Sequence, residues 1–190
     1  MTTHAAVPRP YVGVEEKAPT GVLPGQQTAD VGSDEAVVFV IGMRINRLRR
    51  VRSWWPVFVA MPQMLKELDE HPEDGLLHAR TYLSGRQFMV LQYWRSAEAL
   101  GRYAKDPARA HAPAWAAFNT SGAAATGDVG IFHETYVVPR DAIESRYANM
   151  PSTGLAAAFA ALPRSRRKRR TNADDRLGVV DPEYVDPVSA

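Results

Sequence analysis

The stretch Ala36-Val37-Val38-Phe39-Val40-Ile41-Gly42-Met43-Arg44-Ile45 decides the fold. It is β-branched and aromatic, apolar on both alternating faces until Arg44, and too short for an amphipathic helix, so it predicts a central strand. Further along, Trp54-Trp55-Pro56 stops the strand pattern, and Pro56 suits the first turn of a helix running to about His71. Val57, Ala60, Met61, Met64, Leu65 and Leu68 recur at helical spacing and give that helix one buried face. Residues 76–83 read as a second strand, Ser84-Gly85-Arg86 as a turn and residues 87–94 as a third strand, which together make a hairpin. Ser96 caps a helix through about residue 104, Asp106-Pro107 breaks it, and a second helical piece runs from about 108 to 119. The small residues of 120–127 read as a loop, and residues 129–138 as a fourth strand closed by Pro139.

This β-α-β-β-α-β order is the ferredoxin-like α+β pattern, with helices on one face of the sheet. The second face needs cover, and because no internal repeat supplies it, a symmetric homodimer packed sheet to sheet is expected. Residues 1–34, with Pro8, Pro10, Pro19 and Pro24, read as a flexible arm. The domain is expected over residues 35–160, and residues 161–190 read as a basic, then acidic, flexible tail.

Composition narrows the function. The chain has 190 residues, 45% hydrophobic and 23% charged, with a formal net charge of +2, which is ordinary for a water-soluble domain. The apolar run at 36–43 is too short for a transmembrane helix and no secretory signal is visible at the start, so a cytoplasmic location is expected. Cysteine is absent, which excludes disulfides, zinc–thiolate sites, iron–sulfur clusters and a thiol nucleophile. The tail cluster Arg164, Arg166, Arg167, Lys168, Arg169 and Arg170 has no interleaved aromatic residue, so it reads as solvated and nucleic-acid binding is not the expected role. Phosphate loops, dinucleotide fingerprints, nucleophile elbows and zinc helices are all missing from the sequence.

The remaining chemistry lies in histidines and arginines. Arg44, Arg47, Arg49, Arg50 and Arg52 follow the first strand and offer bidentate contacts to an anionic group, or form a solvated connection. His111 opens a helical piece among Ala110, Ala112, Ala114 and Ala116, with Trp115 one turn later, which leaves room for a flat ligand. His133 shares one face of the fourth strand with Ile131, Thr135 and Val137. As sequence alone, each histidine reads first as a hydrogen-bonded core residue, and spacing does not bring the two together.

Several segments in order carry a resemblance: Tyr93-Trp94-Arg95-Ser96 before Glu98-Ala99-Leu100, His111 before Trp115 and Phe118, the run from Gly130 to Tyr136, and Tyr147-Ala148-Asn149-Met150-Pro151 with Gly154-Leu155. From about Val37 to Leu155 the chain resembles a bacterial monooxygenase-like group of the dimeric α+β barrel superfamily. It is more distantly similar to the haem-containing aldoxime dehydratases, which are about twice as long. That similarity implies haem as cofactor, His111 as the axial iron ligand flanked by Trp115 and Phe118, His133 as a distal acid–base residue, and Arg95 or Arg44 holding an anionic group. The expected function is thus monooxygenase-like or dehydratase chemistry at haem iron on a small organic substrate. The alternatives are a cofactor-independent monooxygenase of the antibiotic-biosynthesis type and a non-enzymatic ligand-binding dimer.

Overall fold

The computed structural model describes residues 18–163, and the chain divides into two compact units, one of residues 35–138 and one drawn from the segments before and after it. The basic tail cluster lies outside the described residues.

The 35–138 unit is a four-stranded sheet with helices on one face. In chain order its elements are β2 (Glu35–Ile45), α1 (Val51–Glu70), β3 (Leu76–Ser84), β4 (Gln87–Trp94), α2 (Ala97–Lys105), α3 (His111–Thr120), α4 (Gly122–Thr126) and β5 (Val129–Pro139). Its strand order β3-β4-β2-β5 is the expected split βαβ arrangement, with β4 inserted between β2 and β3. Along the antiparallel β2–β4 pair, Val37 stands opposite Trp94, Phe39 opposite Gln92 and Ile41 opposite Val90. Period-two alternation turns these six residues toward the helices. Val37 and Trp94 are each only 1% exposed and share a cluster with Leu68 of α1 and Leu100 and Tyr103 of α2. A second cluster joins Met43 and Ile45 of β2 to Ala123 and Val129, with Trp54, Phe58 and Phe118 packed against it.

Three local expectations change. Helix α1 begins at Val51, so Pro56 and also Pro62 lie inside it rather than at its start. Each removes an interior N–H. The apolar face outweighs that loss, because Trp54 and Phe58 pack into one core cluster and Leu68 into the other, and the Trp54 indole donates to the Leu48 carbonyl at 3.0 Å ahead of the first turn. Residues 122–126 are helical instead of a loop: Ser121 Oγ accepts from the Ala124 amide and Gly127, at φ +65°, closes the turn. Alanine is the best helix former, so an alanine run with a serine cap and a glycine stop suffices for one short helix. Helix α3 starts at His111, three residues later than expected.

The other unit corrects the expected arm and the domain boundaries. β1 (Val22–Ala29) pairs antiparallel with β6 (Tyr147–Pro151) on one side and β7 (Ala161–Pro163) on the other, and α5 (Leu155–Ala158) lies between the last two strands in sequence. Pro24, read as part of the arm, sits with Gly25 at a register shift between Leu23 and Gln26, where Gly25 adopts φ +78° and its amide donates to Asn149 Oδ1. A strand bearing a bulge with turn chemistry is hard to recognise from sequence. Ser145 adds a second tie, its Oγ accepting from the Ala29 amide and its carbonyl from Thr28. Among the described residues no helix is long and apolar enough to cross a membrane.

Gly42 marks the tightest point of the sheet. A Cβ there would lie 2.5 Å from the Phe132 ring and 2.7 Å from the Phe88 carbonyl oxygen, whereas one at Gly130 meets only Asn46 at 3.7 Å. Gly42→Ala is expected to destabilise the fold by about 1–3 kcal/mol through overpacking, with Gly130→Ala nearly neutral, as read from urea midpoints. Equal midpoints for the two variants would contradict this packing.

Candidate functional site

Between the sheet, α1 and the α3–α4 segment the 35–138 unit forms a cavity of about 680 Å³ that is open to solvent along one side. This lies within the usual size range of small-molecule sites. Its walls include Met61, Leu65, Phe88, Val90, Trp115 and Phe118, and its polar rim is formed by Arg50, Arg52, Ser53 and Asp128. A smaller cavity of about 300 Å³ adjoins it, sharing Ile41, Met61, Met64 and His111 and adding Gln92, His133 and Thr135.

The rim is organised by one carboxylate. Asp128, 4% exposed, accepts from Ser53 Oγ at 2.9 Å and from Arg47 Nη1 at 2.9 Å, while its carbonyl accepts from the amides of Asn46 and Arg47. The hydrogen bonds from Ser53, Thr126 and Arg47 and the charge of Arg47 hold its pKa below the ordinary 3.8. The β2–α1 connection is thereby pinned to the start of β5, which fixes where Arg50 and Arg52 meet the cavity.

His111 is placed by three helices. Its Nδ1 lies 3.0 Å from the Ala104 carbonyl oxygen at the end of α2. A carbonyl only accepts, so Nδ1 carries a proton and donates here, and Nε2 is the ring nitrogen left to other partners. Glu67 of α1 accepts from the Ala110 amide at the start of α3 and from the Tyr103 hydroxyl at 3.0 Å. Burial, then the Glu67 carboxylate, push the Tyr103 pKa far up, so it remains a neutral phenol beside the His111 ring. Arg109 of the α2–α3 connection pairs with Asp74 at 3.0 Å, a second tie on the approach to α3.

The structure brings four of the sequence-derived site residues together. His133 has its ring 5.9 Å from Phe39 and 6.2 Å from Trp115, and it lines the smaller cavity along with His111. Trp115 and Phe118 lie 6.0 Å apart on the wall of the larger one. Arg44 and Arg95 are not with them. Arg44 alternates with the inward Met43 and Ile45 and is exposed on the opposite side of β2, and Arg95 follows β4, where its guanidinium donates toward the Pro72 carbonyl. The cavity's arginines are instead Arg50 and Arg52 of the same basic stretch, since the chain has turned into α1 by then.

Sequence reasoning missed Gln92. It is 4% exposed on the inward face of β4, and its Oε1 accepts from Trp94 Nε1 at 2.9 Å. A polar residue at an inward position of a central, otherwise apolar strand was the available signal.

The fold and site define a ferredoxin-like α+β protein with a largely apolar, solvent-open cavity between sheet and helices. The family model for monooxygenase af470-like proteins matches residues 36–155, more than half of the chain, and the chain belongs to that family. It is 28% identical over 144 residues to the monooxygenase af470 of Aspergillus fumigatus, covering 68% of this chain and 50% of that protein, so it spans about half the length of that curated relative. Among solved structures it is similar to SnoaB, a cofactor-independent oxygenase from Streptomyces nogalater, at 13% identity and TM-score 0.39 over 55% of this chain and 92% of that one. It is also similar to the aldoxime dehydratase OxdRE, at 12% identity and TM-score 0.42 over 82% of this chain and 46% of that one.

A depressed carboxylate pKa contributes stability above the unfolded value near 3.8, and that contribution is lost as pH falls through the lower folded value. Asp128→Asn is therefore expected to lower the urea midpoint at neutral pH, and the gap from wild type should close as pH falls below about 4. A gap that persists or widens in acid would show that Asp128 does not act through its charge.

Proposed function

We propose that this chain is a monooxygenase-type enzyme that binds an apolar ring-bearing molecule in the larger cavity, with its reactive edge toward His111 and His133. The observation that carries this reading is the cavity itself: large enough for a fused-ring molecule, apolar along its length and polar at its ends. Family membership supports the reaction class. In it the chain's residues have separate tasks. Met61, Leu65, Phe88 and Phe118 take the ring out of water, Arg50 and Arg52 meet any anionic group, and the imidazoles of His111 and of the solvent-exposed His133 are the acid–base groups of the smaller cavity.

A second reading is favoured by one observation, the His111 Nδ1 hydrogen bond. A histidine that ligates metal typically donates its other ring N–H to a carbonyl, as Nδ1 does here toward Ala104. Were haem bound, His111 Nε2 would hold its iron, Trp115 and Phe118 would pack on the macrocycle, and Arg50 and Arg52 would suit its propionates. Bound there, haem would supply iron chemistry toward oxygen or an oxime substrate. In either reading His133 is the second acid–base group. The chain is further proposed to form a homodimer through the sheet's other face, where Val38, Val40, Met89, Leu91 and Phe132 lie with no helix of the same unit against them.

Two titrations of the same protein separate the readings. Naphthalene, followed by quenching of tryptophan fluorescence, is expected to bind wild type and to lose at least about tenfold in affinity with Ala114→Trp, which would fill the larger cavity at a cost on the order of 1.4 kcal/mol or more. No binding by wild type would end the cavity reading. Haemin is the second ligand: a Soret complex lost in His111→Ala and kept in His133→Ala would make haem the cofactor, and its absence in wild type would leave the cofactor-free reading. Sedimentation equilibrium at micromolar concentration is expected to give a dimer, and a monomer there would remove the sheet-face proposal.

A further inference from the structure

Gln92 is a buried amide whose two ends do different things. The Trp94 indole nitrogen can only donate, so the carboxamide atom facing it at 2.9 Å is the oxygen, and the –NH₂ group points elsewhere. Gln92 is 4% exposed and lines the smaller cavity, and among the described residues no hydrogen-bond acceptor is provided for that –NH₂. At the wall of a cavity that water can enter, such donors are left to water or to a ligand acceptor that takes its place. Trp94, 1% exposed and wedged between Val37 and Tyr103, fixes the amide and keeps it from turning over.

On the same cavity stands the complementary group. His111 commits Nδ1–H to Ala104, and among the described residues no hydrogen bond engages Nε2, so Nε2 is the ring nitrogen that can meet a ligand. One wall therefore offers a fixed donor and another an unengaged ring nitrogen, in a space of about 300 Å³ that opens through shared residues onto the apolar chamber. A hydroxyl group on the ring suits both, accepting from Gln92 Nε2 and, because it both donates and accepts, pairing with His111 Nε2 in either protonation state.

We propose that Gln92, locked by Trp94, is the substrate-positioning residue of this site and that, with His111, it selects ring systems bearing a hydroxyl group over their unsubstituted counterparts. The inference rests on the small-molecule reading of the cavity given above. It places the hydroxyl-bearing edge in the smaller cavity beside His133 and the remainder of the ring against Met61, Phe88 and Trp115.

The test compares 2-naphthol with naphthalene, two probes that differ by one hydroxyl. Without polar partners an apolar cavity would favour naphthalene, since the hydroxyl would leave water unpaired. Wild type is expected instead to bind 2-naphthol roughly threefold to tenfold more tightly, the size of one or two net hydrogen bonds. Gln92→Met, close in shape and still offering Trp94 a weak sulfur acceptor, should lose that preference while keeping naphthalene affinity within about twofold. Structural damage would weaken both probes alike, so a selective loss marks positioning. If Gln92→Met does not fold, the wild-type preference alone decides, because a cavity without these polar partners favours naphthalene. Naphthalene bound as tightly as 2-naphthol by wild type, or an unchanged preference in Gln92→Met, overturns the inference and leaves the cavity reading standing. If neither probe binds, the cavity reading fails and the inference falls with it.

Discussion

Everything in the 35–138 unit follows from the register of β2 on β4. Val37 opposite Trp94 and Phe39 opposite Gln92 put a large indole and a carboxamide on the helix side of the sheet, while Tyr93 and Leu91 go to the other side. A slip of one residue would exchange the two sets. The alignment is enforced by burial: Val37 and Trp94 are the largest side chains wholly removed from solvent, and α1 and α2 close over them through Leu68, Leu100 and Tyr103. Burying side chains of that size is worth roughly 1.5–3 kcal/mol each, more than a typical net hydrogen bond between neutral groups, so packing sets the register and the polar groups inherit their positions.

From that frame the polar groups fall into two sets with different physics. Asp128 at the rim has all its acceptor atoms engaged by Ser53, Arg47 and backbone amides, and it acts as a clamp between β5 and the start of α1. At the inner end Glu67 is likewise consumed, by Tyr103 and the Ala110 amide. Gln92 and His111 each have one side fastened to the protein and the other toward the smaller cavity. Groups held in this half-satisfied way are pre-organised for a ligand, because their orientation is fixed before it arrives. The haem and cofactor-free readings use the same wall and differ in one respect, whether His111 Nε2 meets iron or a substrate hydroxyl.

Much of the fold was legible because the strong signals are local. The strands at 36–45, 76–83, 87–94 and 129–138 have continuous or alternating apolar patterns bounded by turn residues, and they appear within one residue of those limits. The departures share a cause, which is that a rule about single residues was outweighed by context. Pro56 suggested a helix start, yet the aromatic face of α1 carries the helix back to Val51. Pro19 and Pro24 suggested a flexible arm, yet β6 and β7 hold residues 22–29 as a strand. At the site, chain order alone did not place His111 and His133 on one cavity, because they meet through α3 packing back across the sheet. Arg44 lies off both cavities for a reason of parity legible in the sequence: its neighbours Met43 and Ile45 face inward, so it faces out.

The central claim, that the interior of this unit is a ligand site with Gln92 and His111 at its polar end, is tested most directly by following side-chain amide and imidazole resonances in ¹⁵N-labelled protein while 2-naphthol is added. The account expects the Gln92 side-chain NH₂ and the His111 Nε2 signals to move together and saturably, with smaller changes at Trp94 and His133. Shifts confined to surface residues such as Arg44 and Arg95, with Gln92 and His111 unmoved at saturation, would contradict it.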